Sequence, residues 1–114
     1  MKQPAYEYRA CYVENHDGDT VRLDVDLGFH IVVRETFRLW GINAPELKGD
    51  TKAEAERSRD GLRAKLLGAE FVIRTRRGQE KYGRWLCEIQ LPNEPMTVND
   101  WMVLQQLAVE YMRN

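Results

Sequence analysis

The order of periodicities along the chain predicts an α+β fold, a small closed barrel of five strands with two helices packed at one side. Three observations carry this. Residues Thr20 to Leu27 alternate strictly between apolar and polar, the period of a half-buried strand. After Pro45 the period lengthens to that of a helix. From Glu70 to Leu91 the alternation returns, and a second helical stretch follows.

Tyr6 to Val13 is aromatic and β-branched, as strands are. In the second strand Val21, Leu23, Val25 and Leu27 take one face, and Arg22, Asp24 and Asp26 the other. Gly28 permits a turn. Phe29, Ile31, Val33, Phe37 and Leu39 then share one parity, broken by Glu35, which predicts one long third strand. Thr51-Lys52-Ala53-Glu54 fits a capping box, with Ala55, Leu62 and Leu66 as a thin apolar stripe and Gly68 as the stop. Gly61 inside that helix costs about 1 kcal/mol against Ala, so the helix must rely on packing. Glu70 to Thr75 and Trp85 to Leu91 read as the last two strands. Pro92 to Pro95 turns the chain into a helix over roughly Asn99 to Ala108, capped by Thr97 or Asn99. Five short strands with a helix between the third and fourth fit an OB-fold barrel.

The 114 residues fit a single domain spanning 1–114, with 43% hydrophobic and 31% charged residues. No run reaches the roughly 18 apolar residues of a membrane helix. The N-terminus has no apolar core of a secretion signal, so a cytoplasmic location and no membrane partner are expected. A net charge of −1 excludes tight nucleic-acid binding by bulk positive charge. Cys11 and Cys87 have no zinc-ligand spacing with His16 or His30 and are expected to be small buried thiols, although a disulfide is open. No obligate protein partner is evident.

Three segments place charge where strands turn or end: His16 to Thr20, Arg38 to Glu46, and Lys81 to Arg84. Each has an ordinary explanation alone, as a turn, as a surface Arg–Glu pair or as a solvated basic loop. Together they supply hard oxygen donors from Asp19, Asn43 and Glu46, suited to Ca²⁺ or Mg²⁺. They also supply two guanidinium forks, Arg38 and Arg84, that match a phosphate. Such a set is what metal-assisted phosphodiester cleavage uses.

Asp17-Gly18-Asp19-Thr20-Val21, Arg38-Leu39-Trp40-Gly41-Ile42-Asn43-Ala44-Pro45-Glu46 and Lys81-Tyr82-Gly83-Arg84 resemble, in order, the three signature blocks of the staphylococcal nuclease-like (thermonuclease) family. Asn99 and Gln106-Leu107-Ala108 resemble its later helix, and the likeness runs from about Tyr8 to Tyr111. The resemblance implies an OB-fold that hydrolyses DNA and RNA with Ca²⁺, leaving 3′-phosphates, with Mg²⁺ or Mn²⁺ as other candidate ions. It implies Asp19 as a calcium ligand, Asn43 in the place of a second ligating aspartate, and the Ala44 backbone carbonyl as a further ligand. Glu46 would activate the attacking water, and Arg38 and Arg84 would hold the scissile phosphate. Lys81, Tyr82 and Tyr111 would bind the substrate.

Asn43 removes a negative charge from that ligand set, which predicts weaker ion binding. The chain stops soon after Tyr111, so the family's third helix is expected to be absent. The Asp26 to Phe29 hairpin looks more like the intracellular or phage-borne branch. The alternative function is a catalytically weak or inactive OB-fold module that binds nucleic acid or a protein partner.

Overall fold

The computed structural model describes residues 6–76 and 83–113. Strands β1 (Tyr6–Asn15), β2 (Thr20–Asp26) and β3 (Val32–Leu39) form a meander, followed by the two-residue strand β4 (Ile42–Asn43). A single 3₁₀ turn, Gly49–Thr51, leads into α1 (Lys52–Leu66). Strands β5 (Glu70–Arg76) and β6 (Trp85–Gln90), helix α2 (Val98–Leu104) and the short β7 (Val109–Glu110) complete the chain. The barrel closes in the order β1-β2-β3-β6-β5, and β4 pairs separately with β7. This is the five-stranded, two-helix α+β barrel of an OB-fold. The pairings are antiparallel except β3 with β6, whose parallel contact covers only Phe37 to Leu39.

The alternation in β2 does what its period requires: Val21, Leu23 and Val25 point into the barrel and are buried. They meet Phe37 and Leu39 of β3, Phe71 and Ile73 of β5, and Cys87 and Ile89 of β6. Leu62 and Leu66 of α1 and Val98 and Met102 of α2 close the same core. Gly61 has a packing reason, because a Cβ there would lie 2.7 Å from Leu107 Cδ1. The bare backbone lets α1 seat that leucine.

Several expectations change. The third strand begins at Val32 rather than Phe29. Phe29 and His30 have φ of 54° and 62° and form the turn itself. Leu27 N–H donates to Ile31 O and Ile31 N–H to Gly28 O, both at 2.9 Å, which ties the tip off one residue pair beyond the strands. The capping box does not form. The Thr51 hydroxyl lies 2.6 Å from the Glu46 carbonyl oxygen and 3.0 Å from that of Lys48, because the preceding 3₁₀ turn brings those carbonyls within reach. Helix α2 ends at Leu104, short of Ala108. Thr97 caps it, its hydroxyl accepting from Asp100 N–H at 3.1 Å. Asn99 turns inward instead: it accepts from Ile89 N–H and donates to the carbonyls of Trp40 and Cys87. Both cysteines are free, and Cys11 is exposed rather than buried. Its strand position puts it on the outer parity of β1, away from buried Ala10.

Candidate phosphate-binding site

The site is built at the rim where β2 begins and β3 ends. Asp17 Oδ1 accepts from Asp19 N–H at 3.1 Å, a turn of the kind aspartate forms with its own backbone. Asn15 Nδ2 donates to the carbonyls of Asp17 and Arg59, fastening this turn to α1. Gly18 is required by proximity, since a Cβ there would run into the Ser58 side chain and come within 3.2 Å of Ala44 Cβ. The turn therefore lies flat on the helix and directs Asp19 inward.

Asp19 is only 8% exposed. Its Oδ2 accepts from Ala44 N–H at 2.8 Å, and its Oδ1 from the Thr20 hydroxyl at 3.1 Å. Burial and the neighbouring Asp17 carboxylate outweigh the Ala44 N–H and the Arg38 charge, pushing its pKa from 3.8 up to about 6. This carboxylate lacks enough positive charge around it.

The register β2–β3 pairs Thr20 with Arg38 and so brings that arginine to the same rim. Arg38 Nη2 lies 3.1 Å from Asn43 Oδ1 and 3.8 Å from Asp19 Oδ2. Its guanidinium also stands 5.0 Å from the centroid of the Tyr111 ring. Arg84, just before β6, donates from Nη1 to Thr20 Oγ1 at 2.8 Å. Five of the expected residues thus converge, Asp19, Arg38, Asn43, Arg84 and Tyr111, and Ala44 joins them through its backbone N–H rather than the expected carbonyl. Glu46 points elsewhere. Its carboxylate is 72% exposed and pairs with Lys48 Nζ at 3.1 Å. Lys81 and Tyr82 lie outside the described residues.

The C-terminal segment, which carries no sequence signal beyond Tyr111, fixes this arrangement. Tyr111 N–H and Arg113 Nε both donate to Gly41 O, at 2.9 and 2.8 Å. Arg113 Nη1 is held in turn by Asp100 at 2.7 Å. Trp40 is flanked by Arg76, 3.9 Å above its ring, and by Arg113 at 5.4 Å. Gly41 has φ of +79°, and a Cβ would stand 2.7 Å from Arg113 Nε, so both backbone and space demand glycine here. Ser58, Asn15, Trp40 and Arg113 are the supporting residues that sequence reasoning missed. Only Gly18 and Gly41 hinted at them, as places where something packs closely.

Among the described residues, no three His, Cys, Asp or Glu side chains converge into a ready-made cation cage. The donors present are one under-neutralised carboxylate, Asp19, and the amide oxygen of Asn43. They fit a hard ion that keeps much of its water, and they do not fit a tight all-carboxylate site. A groove of about 540 Å³ opens on the far side of Asn43 and Ala44, between Glu54 and Arg57 of α1 and Leu107 and Glu110. Arg38 and Arg84 stand outside it, on the open rim.

A closed five-stranded barrel of this topology, with Arg38 and Arg84 brought to the Asp19–Thr20 corner of its rim, is an OB-fold. Residues 36–114 match the family described as staphylococcal nuclease homologue, and the chain belongs to that family. A comparison with curated proteins finds no match.

Proposed function

We propose that the chain is a nuclease that hydrolyses phosphodiester bonds in DNA or RNA by attack of water on a backbone phosphate. The observation that supports this above others is the convergence of Arg38 and Arg84 on the Asp19–Thr20 corner. A tetrahedral phosphate laid there meets two planar forks, and the charge that develops on its oxygens in the transition state is stabilised by both. Tyr111 offers a ring beside Arg38, against which a sugar or base can pack. Lys81 and Tyr82, which precede Arg84 in the sequence, are assigned to substrate binding on their chemistry alone. Glu46 accepts the proton of the attacking water. In this structure its exposed carboxylate is paired with Lys48, so the role requires it to leave that ion pair and turn toward the rim.

Calcium, with Mg²⁺ or Mn²⁺ as substitutes, would be held by Asp19, Asn43 and the Ala44 carbonyl, and would polarise the phosphoryl oxygen as a Lewis acid. The buried, under-neutralised Asp19 supports a cation at this place. The test is incubation of the purified protein with single-stranded and plasmid DNA and with RNA, in millimolar Ca²⁺ or in EGTA. Chelator-sensitive cleavage is expected; its absence at millimolar Ca²⁺ sinks the enzyme reading.

One observation favours a second reading, a nucleic-acid-binding module without catalysis. Asn43 Oδ1 is engaged by Arg38 and the Glu46 carboxylate by Lys48. That reading expects oligonucleotide binding that persists in EGTA, abolished by Arg38→Ala, with no product in any ion.

A further inference from the structure

The surface that carries Arg38 and Tyr111 continues beyond the rim. β4 and β7 pair Asn43 with Val109, and residues directly opposite in an antiparallel pair share a face. Tyr111, whose N–H extends that ladder to Gly41 O, falls on the same face by alternation. There Arg38 meets both the Tyr111 ring and Asn43 Oδ1. Val109 and Asn43 also line the groove of about 540 Å³ between α1 and the C-terminal segment. Asn43 is therefore a wall between the two, with Arg38 at its amide oxygen and the groove beyond. A nucleic-acid strand whose phosphate lies at Arg38 places its next sugar and base over that one side chain.

The groove is of ligand size, within the roughly 300–1,000 Å³ of small-molecule pockets. Its charge argues against a second phosphate, because Glu54 and Glu110 line it against one cation, Arg57. Neither carboxylate has an ion-pair or hydrogen-bond partner among the described residues. Pro45, Leu107 and Val109 supply apolar wall. An uncharged flat ring with hydrogen-bond donors on its edge suits such a lining, and a nucleobase is one.

The two polar groups on α1 narrow the choice of base. Glu54 and Arg57 stand three apart on the helix and so share a face. They form no ion pair with each other among the described residues. Arg57 Nη2 donates instead to Gln106 O at 3.1 Å, which fixes the guanidinium on the groove wall. A donor-only guanidinium beside an acceptor-only carboxylate complements an edge that reads acceptor, donor, donor. Guanine presents that order in O6, N1–H and N2–H. Thymine and uracil read acceptor, donor, acceptor, while adenine and cytosine have a single amino donor next to acceptors.

We infer that this groove is a base subsite for the substrate strand, that it takes an unpaired guanine, and that Glu54 and Arg57 read its edge. The inference rests on the proposed reading that the rim holds a backbone phosphate, and it does not require cleavage there.

Fluorescence anisotropy with 5′-labelled d(TTGTT) and d(TTTTT) in EGTA, where no strand is cut, tests it. The guanine strand is expected to bind about tenfold or more tightly, the discrimination of one bidentate base contact. Inosine in place of the guanine lacks the N2 amino group and is expected to lose most of the gain; 7-deazaguanine, unaltered on that edge, keeps it. Glu54→Gln, at an exposed position of α1, is expected to bring the two strands within about twofold of each other, with the fold checked by circular dichroism. Equal affinity in the wild type overturns the subsite even where Ca²⁺-dependent cleavage is found. A guanine preference without cleavage in any ion upholds the subsite and removes the nuclease. Binding of neither strand up to the millimolar range removes both. A preference indifferent to Glu54→Gln overturns the assignment, as does a dimer dissolved by Val109→Lys, which would mean that a second copy fills the groove.

Discussion

Asp19 is where burial and charge conflict. Its pKa of about 6 in the folded chain, against 3.8 for the ordinary carboxyl, means that the native state holds a proton there that the unfolded chain has lost. Between about pH 4 and 6 the stability from this group therefore falls as pH rises. Above that window the ionised, buried carboxylate costs about 3 kcal/mol. In metal-free buffer, Asp19→Asn is expected to melt higher than the wild type at pH 7.5 and about equally at pH 3.5, by calorimetry. If Asp19 holds a cation, Asn43→Asp adds a second charge and tightens Ca²⁺ binding about tenfold by titration calorimetry. An unchanged or weaker affinity removes Asn43 from the ligand set. For cleavage, Glu46→Gln and Arg84→Ala are each expected to reduce the rate about 100-fold or more with the fold intact. Equal activity in those variants points to a contaminating nuclease.

The turn between β3 and β4 shows how an element gains its shape from residues far away. Trp40-Gly41 places Arg38 on one side and Asn43 on the other, and Gly41 O accepts from two groups of the C-terminal segment. Gly41→Ala forces a left-handed alanine against Arg113 and is expected to lower stability by about 1–2 kcal/mol in urea unfolding. Thr97→Ala removes the cap of α2 and is expected to cost about 1 kcal/mol in the same assay. At this scale the sequence is legible where period and burial agree. β2 and β6 were readable because each alternates within a barrel that covers one face. The beginning of β3 was not, because the same alternation continues into a hairpin with nothing behind it. A pattern records which face is apolar and carries no mark of whether the fold covers it. Thr51 failed as a cap for a related reason: Ser and Thr hydroxyls bond whichever backbone group is nearest, and a 3₁₀ turn intervened.

Across the whole molecule a net charge of −1 conceals a division. Residues 14–26 contain Glu14, Asp17, Asp19, Asp24 and Asp26 against Arg22 alone, while Arg74, Arg76, Arg77, Lys81 and Arg84 outweigh Glu80 in residues 74–84. A substrate that met only the second set would bind modestly and with a shallow salt dependence, few phosphates being neutralised. The core of the site was legible because three short motifs carry its charged residues, and the barrel brings Asp19, Arg38, Asn43 and Arg84 to one rim. Its frame was not legible, since Asn15, Ser58 and Arg113 act by contact across long separations. The hydrogen bond from Arg113 to Gly41 spans 72 residues. That span has a temporal meaning. On a chain made from its N-terminus onward, Arg38, Asn43 and Asp19 are all present while the clasp that sets their spacing is still unmade. The rim takes its final form only after the last strand has been synthesised and docked, so a shortened or nascent chain carries the chemistry without its alignment.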